Sequence, residues 1–287
     1  MTPFELAEPR SLRKAIALLD PDDPSVRPIA GGTALMLMMK AGLFQPTKLV
    51  SLRRVEKRFS SVGKAADGRV RIGALTPLAA LERAGAIRRA LPVVATTLRT
   101  LSNVRVRNVA TLGGHLAHAD PHMDLPPVLI ALGAALVVIG PRGERTLPLA
   151  ELYAGYYETT LARDELIAQV LVPPQAPRRA TYLKCTTRSA DDWPALGLAV
   201  ALEADGGAVR DITLVLGAAT ATPTRLIAAE AVLRGAVPDA ALLQRAGEAA
   251  AAEAPLISDP QGSAAYKKQL VRVYLQRAVT QALGTRR

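Results

Sequence analysis

The sequence predicts an α+β protein built from two domains. A length of 287 residues is about twice that of a typical domain of roughly 150 residues. Strand-like and helix-like segments alternate irregularly, whereas a doubly wound sheet repeats a regular strand–helix order. A proline-rich stretch over residues 173–177 interrupts the pattern. We therefore expect a first domain at residues 1–173, with subparts at about 1–55 and 56–173, and a second at 178–287.

The first domain begins with a predicted helix over residues 10–20. Leu12, Ile16 and Leu19 recur there at helical spacing after Ser11, a favoured N-cap residue. The stretch 33–40 is apolar at nearly every position and predicts a buried helix. The remaining segments up to residue 97 are predicted as strands over 26–30, 48–52 and 69–73 and as helices over 77–83 and 86–97.

From residue 124 onward, the sequence predicts further helices and strands by the same hydrophobic patterns. Asp124 is predicted to cap a helix running to Leu132, and its first-turn prolines fit because they need no hydrogen-bond partner there. Residues 134–139 and 144–147 predict a hairpin. The second domain is predicted to hold three strands, over 181–185, 196–202 and 209–216, followed by helices at about 225–235, 239–252 and 263–283.

Composition excludes several classes of protein. Aromatic residues make up only 3% of the chain, too few for a platform that stacks single-stranded nucleic acid. The single cysteine, Cys185, excludes a disulfide framework and any iron–sulfur cluster held by this chain alone. The net charge of +11 is scattered and accompanies no nucleic-acid recognition motif. Without a signal peptide or an apolar run of membrane-spanning length, we expect a cytoplasmic protein with no membrane span.

Two glycine pairs are the strongest candidate binding motifs. They lie in Ala30-Gly31-Gly32-Thr33 and in Thr111-Leu112-Gly113-Gly114. Most such pairs are simply turns, but glycine also leaves successive backbone N–H groups open to form a nest that binds a phosphate oxygen. Two of them, each flanked by a threonine hydroxyl, suit the two phosphates of a dinucleotide. Neither matches the Rossmann or the P-loop pattern.

All three histidines fall within eight residues, at His115, His118 and His122. On a continuous helix the spacings of three and four would place them on one face as a metal site. Gly113–Gly114 and Pro121 argue against such a helix. Two interpretations stay open: a three-histidine metal site, or, as we favour, polar side chains of a loop that wraps a ligand.

Three further residues have both an ordinary and a functional interpretation. Asp124 is either only a helix cap or an acceptor for ribose hydroxyls, as acidic residues are in other dinucleotide sites. Lys184 is by default a surface charge. Trp193, the only tryptophan, lies either partly in the core or beside a planar ligand.

At this point the sequence resembles a known family, the FAD-binding medium subunits of molybdenum hydroxylases, which include carbon monoxide dehydrogenase and bacterial xanthine dehydrogenases. The resemblance covers essentially the whole chain. It implies a two-part FAD-binding domain of the PCMH type, followed by a flavoprotein C-terminal domain of a three-stranded antiparallel sheet with helices. The stretches that carry it are AGGTALMLMMKAG, VRNVATLGGHLAHADPHMDLPPVLIALGA, DELIAQVLVP, LGAATATPTRLIAAEAVLRG and DPQGSAAYKKQLVRVYLQRAV.

The resemblance also implies which residues contact FAD. In the family both glycine loops hold the diphosphate, an acidic residue follows the second loop, a lysine lies near the flavin and an aromatic residue covers the ring. The matching positions are Ala30, Gly31, Gly32, Thr33, Ala34, Leu101, Thr111, Gly113, Gly114, His115, Asp124, Ile167, Lys184 and Trp193. Leu101 and Ile167 match positions that line the flavin pocket. His115 departs from the Asn or Asp usual in the family.

By the same resemblance, the function is electron transfer inside a larger enzyme. A partner subunit would carry [2Fe–2S] clusters and a large subunit the molybdopterin centre, in a dimer of heterotrimers. FAD would pass electrons to NAD⁺, a quinone or O₂. The alternatives are a stand-alone FAD-dependent oxidoreductase and a metal-dependent hydrolase built on the three histidines. A basic nucleic-acid binder is disfavoured.

Overall fold

The computed structural model describes residues 2–284, and a three-stranded parallel sheet opens the chain. Its spatial order is β1–β3–β2, and helices α1 and α2 supply the crossovers that parallel strands require. The predicted cap is confirmed, since the Ser11 side chain accepts a hydrogen bond from the N–H of Lys14 at 3.2 Å. The bounds are β1 (Glu5–Ala7), α1 (Leu12–Ile16), β2 (Val26–Ile29), α2 (Leu35–Lys40) and β3 (Lys48–Ser51).

A five-stranded antiparallel sheet forms the centre of the molecule, in the order β4–β5–β10–β6–β7. The pairing of β6 with β7 confirms the predicted hairpin. Two turns of 3₁₀ helix, Lys57–Ser60 and Leu149–Glu151, and a small hairpin of β8 with β9 border this sheet. The strands are β4 (Val62–Lys64), β5 (Val70–Gly73), β6 (Ala135–Gly140), β7 (Gly143–Pro148), β8 (Tyr153–Gly155), β9 (Glu158–Thr159) and β10 (Leu166–Val172).

Strand β10 is buried on both faces, so the central sheet contributes to two hydrophobic cores, one on each face. Leu166 and Leu171 pack with residues of the N-terminal sheet and α1, whereas Val170 and Val172 pack with the helices on the opposite face. A β-bulge at Ala168 shifts the register, since Ile167 pairs with Val138 and Gln169 with Val137. The bulge lies directly beside the loops described below.

Six short helices cover the second face of the central sheet. The predicted helix 86–97 is divided at Leu91, whose φ of −135° is not helical because Pro92 follows. The stretch 33–40 is helical only as α2, and the prediction that it is buried was wrong: Met39 alone is buried, and Leu37 is 66% exposed. The helices are α3 (Leu78–Arg83), α4 (Gly85–Ala90), α5 (Pro92–Arg99), α6 (Val104–Val109), α7 (Leu112–Ala117) and α8 (Leu125–Ala131).

The C-terminal sheet is antiparallel, in the order β11–β12–β13–β14. The three predicted strands are present, and the two-residue β14 adds an edge too short to give a sequence pattern. Three helices cover one face. The elements are β11 (Arg179–Cys185), β12 (Leu196–Asp205), β13 (Ala208–Gly217), β14 (Thr224–Arg225), α9 (Ile227–Leu233), α10 (Ala240–Glu253) and α11 (Ala264–Leu283).

The other face of the C-terminal sheet packs on α8, and small residues make this contact close. Leu198 and Val200 point to the C-terminal helices, whereas Ala199 and Ala201 join the core of the central sheet. A Cβ on Gly217 would lie 2.9 Å from Cγ of Pro127 in α8. Helix α8 is therefore held in close contact with the C-terminal sheet at β12 and β13. Among residues 2–284, no helix combines the length and hydrophobicity needed to cross a bilayer.

Candidate functional site

The two glycine pairs lie in loops that contact each other. Loop 1 (residues 30–34) follows β2, and loop 2 (residues 111–115) follows α6 and enters α7. A Cβ on Gly31 would overlap the carbonyl oxygen of Val109 and lie 2.8 Å from Cα of Ala110. A Cβ on Gly114 would lie 4.0 Å from Cβ of Ala30. The loops approach this closely because Gly31 has no side chain.

Loop 1 offers a row of free backbone donors. Gly32 has a φ of +71°, a left-handed conformation that glycine adopts without strain. No atom in residues 2–284 accepts a hydrogen bond from the N–H groups of Gly31, Gly32, Thr33 or Ala34. Successive free N–H groups around a left-handed residue form the concave nest that binds anions. The N–H groups of loop 1 are thus available to a ligand, and binding of a phosphate there stays a prediction.

Loop 2 differs, because its N–H groups already have acceptors within the chain. Gly113 donates to the carbonyl of Ala74 at 2.6 Å, and His115 donates to the carbonyl of Thr111 at 2.9 Å. Gly114 donates to Oγ1 of Thr111, the N-cap of α7, at a long 3.3 Å. A Cβ on Gly113 would lie 2.6 Å from Cβ of Ala74, so this glycine permits packing on β5. The expectation of free N–H groups in both loops was thus wrong for loop 2.

Two buried polar atoms beside loop 2 have no partner in the described part of the chain. They are Nε2 of His115 and Oγ1 of Thr76, whose carbonyl accepts from the N–H of Leu112. Burial lowers the pKa of His115 to about 4, with a smaller contribution from His118, so its imidazole is neutral at neutral pH. A buried polar atom without a partner is costly, and a bound polar ligand would supply the missing hydrogen bond.

Asp124, the residue before α8, forms a buried ion pair with Lys184 of β11. Its carboxylate accepts from Nζ of Lys184 at 3.0 Å and from the hydroxyl of Tyr182 at 2.7 Å. It makes no capping bond to α8, so the prediction of a side-chain cap was wrong: the stronger partners on β11 hold the carboxylate instead. Burial raises the pKa of Asp124, and the opposing influence of Lys184 and Tyr182 does not fully cancel it.

Lys184 also joins two loops to this pair. Its ammonium donates to the carbonyl of Thr100 at 2.7 Å and to that of Asp192 at 3.3 Å. The Tyr182 side chain reaches Asp124 only because Gly197, the β12 residue paired with Lys184, has no side chain: a Cβ there would overlap the phenol oxygen. The ammonium is therefore held by three acceptors, one carboxylate and two backbone carbonyls.

The other predicted residues lie around these groups. Leu101 is buried beside Thr100, and Ile167 is buried on β10 next to Ala168, whose carbonyl accepts from Ala74. Trp193 follows Asp192 and is 53% exposed, with one ring face on His122. Neither Leu101 nor Ile167 can make a polar contact through its side chain, and both belong to the core of the central sheet.

The three histidines do not form a metal site. In residues 2–284 no three side chains of His, Cys, Asp or Glu are arranged to hold a metal ion. His122 uses both ring nitrogens on carboxylates, 3.0 Å from Asp120 and 3.0 Å from Asp259, and His118 packs edge-on against Tyr157. The alternative of a three-histidine hydrolase therefore loses its geometric basis.

Sequence reasoning missed several residues of this region. Tyr182 had a usable signal, since it lies two positions before Lys184 on a predicted strand and so shares its face. Thr76 had no usable signal in the sequence. Asp259 had none either, because 137 residues separate it from His122. The missed residues are Thr76, Asp120, Tyr157, Tyr182, Gly197, Asp259 and Lys267.

Replacing Lys184 tests the buried pair. Lys184→Met leaves the Asp124 carboxylate buried without a cation, and we expect a loss of about 3–5 kcal/mol in the free energy of unfolding at neutral pH. The pKa of Asp124, already raised, rises further, so the folded variant binds a proton that the unfolded chain does not. The deficit should therefore shrink as the pH falls toward about 5, as measured by urea unfolding.

Tyr182→Phe is the control for this substitution. It removes one hydrogen bond and keeps the ion pair, so a loss of only about 1 kcal/mol is expected. A deficit of Lys184→Met that does not change with pH would contradict the assignment.

The chain is similar to known proteins along nearly its whole length. Residues 2–175 match the family model of the FAD binding domain in molybdopterin dehydrogenase, and residues 181–282 match that of the CO dehydrogenase flavoprotein C-terminal domain. The chain is 34% identical over 278 residues to the nicotine 6-hydroxylase medium subunit of Paenarthrobacter nicotinovorans, covering 96% of each. It is 32% identical over 281 residues to the carbon monoxide dehydrogenase medium chain of Afipia carboxidovorans, covering 97% of this chain and 96% of that one.

A solved structure shows the same fold over the whole length. Carbon monoxide dehydrogenase from Hydrogenophaga pseudoflava, in a form that lacks the Mo-pyranopterin moiety of the molybdenum cofactor, superposes with a TM-score of 0.94 at 33% identity, covering 99% of each chain. The sequence-derived family and fold class are both confirmed. The chain belongs to the family of FAD-binding medium subunits of molybdopterin dehydrogenases, and it is an FAD-binding subunit of an oxidoreductase.

Proposed function

We propose that this chain carries FAD as the electron-transfer subunit of a multi-subunit molybdenum hydroxylase. The observation that supports this most is the position of loop 1. With its free N–H donors it packs at Gly31 on the end of α6, and at Ala30 it approaches Gly114, the neighbour of His115, whose Nε2 is buried without a partner in the described part of the chain. FAD takes up electrons singly and delivers them in pairs, which is the chemistry it supplies when bound. The residues described below bind it, orient it and surround it with fixed charges.

In this proposal the diphosphate binds at loop 1. The N–H groups of Gly31, Gly32, Thr33 and Ala34 donate to its oxygens. We assign loop 2 a different role from the one expected: because its backbone N–H groups are bonded within the chain, it contributes the Thr111 hydroxyl and the neutral His115 imidazole. A neutral imidazole donates a hydrogen bond without adding charge, and it can replace a side-chain amide in that respect.

The ion pair of Asp124 and Lys184 then faces the rest of the cofactor. Asp124 accepts from hydroxyl groups, and Lys184 provides the positive charge that stabilises anionic character near N1 of a flavin. Leu101 and Ile167 form apolar walls, and Trp193 covers a ring face. Among these groups we assign no general acid or base, because electron transfer needs none.

Partner subunits form the second half of the proposal. The chain has one cysteine, so it holds no iron–sulfur cluster alone, and electrons must reach FAD from outside. The relatives are named as medium subunits or medium chains, which supports a complex with a [2Fe–2S] small subunit and a molybdopterin-containing large subunit. We propose a dimer of such heterotrimers in the cytoplasm, with NAD⁺, a quinone or O₂ as the acceptor.

The alternative is a stand-alone FAD-dependent oxidoreductase. The chain aligns along nearly its full length with medium subunits, which favours the complex. Purification of the tagged chain from its native cells separates the two: we expect two further polypeptides in stoichiometric amounts, with the visible absorption of [2Fe–2S] clusters. A flavoprotein that purifies alone and reduces an acceptor directly would support the alternative.

Gly31→Ala tests the contact on which the cofactor site rests. The added Cβ overlaps the Val109 carbonyl, so loop 1 must move away from loop 2. We expect affinity for FAD to fall by about tenfold or more, the equivalent of one lost charge-assisted hydrogen bond. The measurement is FAD released on heat denaturation per mole of chain, together with a binding titration.

Gly63→Ala, on β4, is the matched control. Its Cβ meets nothing closer than Nη2 of Arg71 at 3.8 Å, so FAD binding should be unchanged. Full retention of FAD by Gly31→Ala, with circular dichroism unaltered in both variants, would count against the proposed site.

A further inference from the structure

The indole of Trp193 stacks on the imidazole of His122, whose two ring nitrogens both contact carboxylates. The ring centroids of Trp193 and His122 lie 5.4 Å apart, with 14° between the planes. The His122 side chain is only 4% exposed, whereas Trp193 is 53% exposed. One indole face is thus covered by His122, and the exposed part of the side chain is available to a ligand.

The hydrogen bonds of His122 define its charge. Nδ1 lies 3.0 Å from Oδ1 of Asp120, and Nε2 lies 3.0 Å from Oδ2 of Asp259. A neutral imidazole has one N–H, so it can donate to only one of two carboxylates. Donors are needed at both nitrogens, which makes His122 an imidazolium in this arrangement.

The groups around His122 balance that charge. The hydroxyl of Tyr157 donates to Asp120 at 2.9 Å, and the fully buried ammonium of Lys267 pairs with Asp259. Two carboxylates thus face two cations. Although burial alone lowers the pKa of His122, the hydrogen bonds and charges of Asp120 and Asp259 raise it above its ordinary value.

The backbone around this cluster is unusual. Among residues 2–284, only four residues other than glycine have positive φ, and three border the cluster: Ala119 at 55°, Tyr157 at 60° and Ala218 at 63°. The carbonyl of Ala218 accepts from Lys267 at 3.1 Å. Strained conformations of this kind persist where the surrounding structure determines them, typically at functional sites.

Trp193 is also connected to the residues that we assign to the FAD site. Its neighbour Asp192 receives a hydrogen bond from Lys184, which pairs with Asp124. His122 lies two residues before Asp124. A displacement of the indole would therefore disturb the Asp192 carbonyl that helps to hold Lys184.

We propose that the His122 imidazolium is a positioning residue that holds the Trp193 indole in place at the edge of the FAD site. The face of an indole attracts a cation, and a cation fixed at both ends also fixes the plane of the ring stacked on it. The inference rests on the proposed function only in naming FAD as the molecule beside the indole. The stacking itself is independent of it.

The single tryptophan gives a direct test. An imidazolium in stacking contact quenches indole fluorescence, and a neutral imidazole does so much less. We expect the emission of the FAD-free full-length chain to rise severalfold between about pH 6 and pH 9, with a midpoint above the ordinary histidine value. His118→Gln should keep this titration, and His122→Asn should be bright at every pH with no inflection.

The outcomes separate positioning from a merely structural role. Emission that does not titrate in the wild-type chain, or a titration lost in His118→Gln, would overturn the proposal, and neither result depends on whether His122→Asn folds. A wild-type chain that titrates but binds no FAD would refute the proposed function and leave the stacking established.

A double-variant cycle then tests the link to the cofactor. His122→Asn and Trp193→Leu should each weaken FAD binding severalfold, and the double variant should be no weaker than the worse single one, because His122 acts through Trp193. Additive losses would show that His122 does not act through the indole and would overturn the proposal.

Discussion

The absence of a side chain at Gly31 is the constraint on which the site depends. Any Cβ there would occupy the position of the Val109 carbonyl, so the end of β2 and the end of α6 could not approach each other. Because these segments come from different sheets and helices, their contact joins the N-terminal parallel sheet to the helical layer of the central sheet. The free N–H groups of loop 1 begin at that junction, with Gly31 itself.

The two loops share a sequence pattern and differ in physical role. In loop 1 the left-handed Gly32 turns the backbone so that its N–H groups have no internal acceptor. In loop 2 the Thr111 cap and the carbonyl of Ala74 accept from the backbone N–H groups. The same glycine pair thus leaves backbone donors free in one place and permits a tight packing contact in the other.

The buried charged side chains around Asp124 and His122 are paired with opposite charges. Asp124 faces Lys184, and the carboxylates of Asp120 and Asp259 face His122 and Lys267. Buried pairs of this kind contribute modestly to stability but leave a large penalty when one member is removed. They fix the orientation of groups around a ligand, and here they also tie β11 and α11 to the segment around Asp120–Asp124.

Much of this architecture could be predicted from the sequence. Hydrophobic periodicity located most strands and helices, and the glycine pairs identified both loops. The solvent exposure of α2 could not be predicted, because an apolar sequence does not show which other residues pack against the helix. The bonding of Asp124 to Lys184 instead of its own helix depends on β11, which lies 60 residues away in sequence. The cluster at His122 depends on a partner 137 residues away, and local patterns do not report such distances.

Several expectations stay predictions. The division of the chain at residues 173–178 and the individual FAD contacts are among them. For the FAD contacts, we expect the diphosphate, more than the flavin ring, to determine the affinity for FAD.

That central claim is tested most directly by comparing the dissociation constants of FAD and riboflavin for the same FAD-free chain. If loop 1 binds the diphosphate through two or more charge-assisted hydrogen bonds, FAD should bind about a hundredfold more tightly or better. Equal affinity for riboflavin and FAD would show that the glycine loops do not bind phosphate, and the account of the site would be wrong.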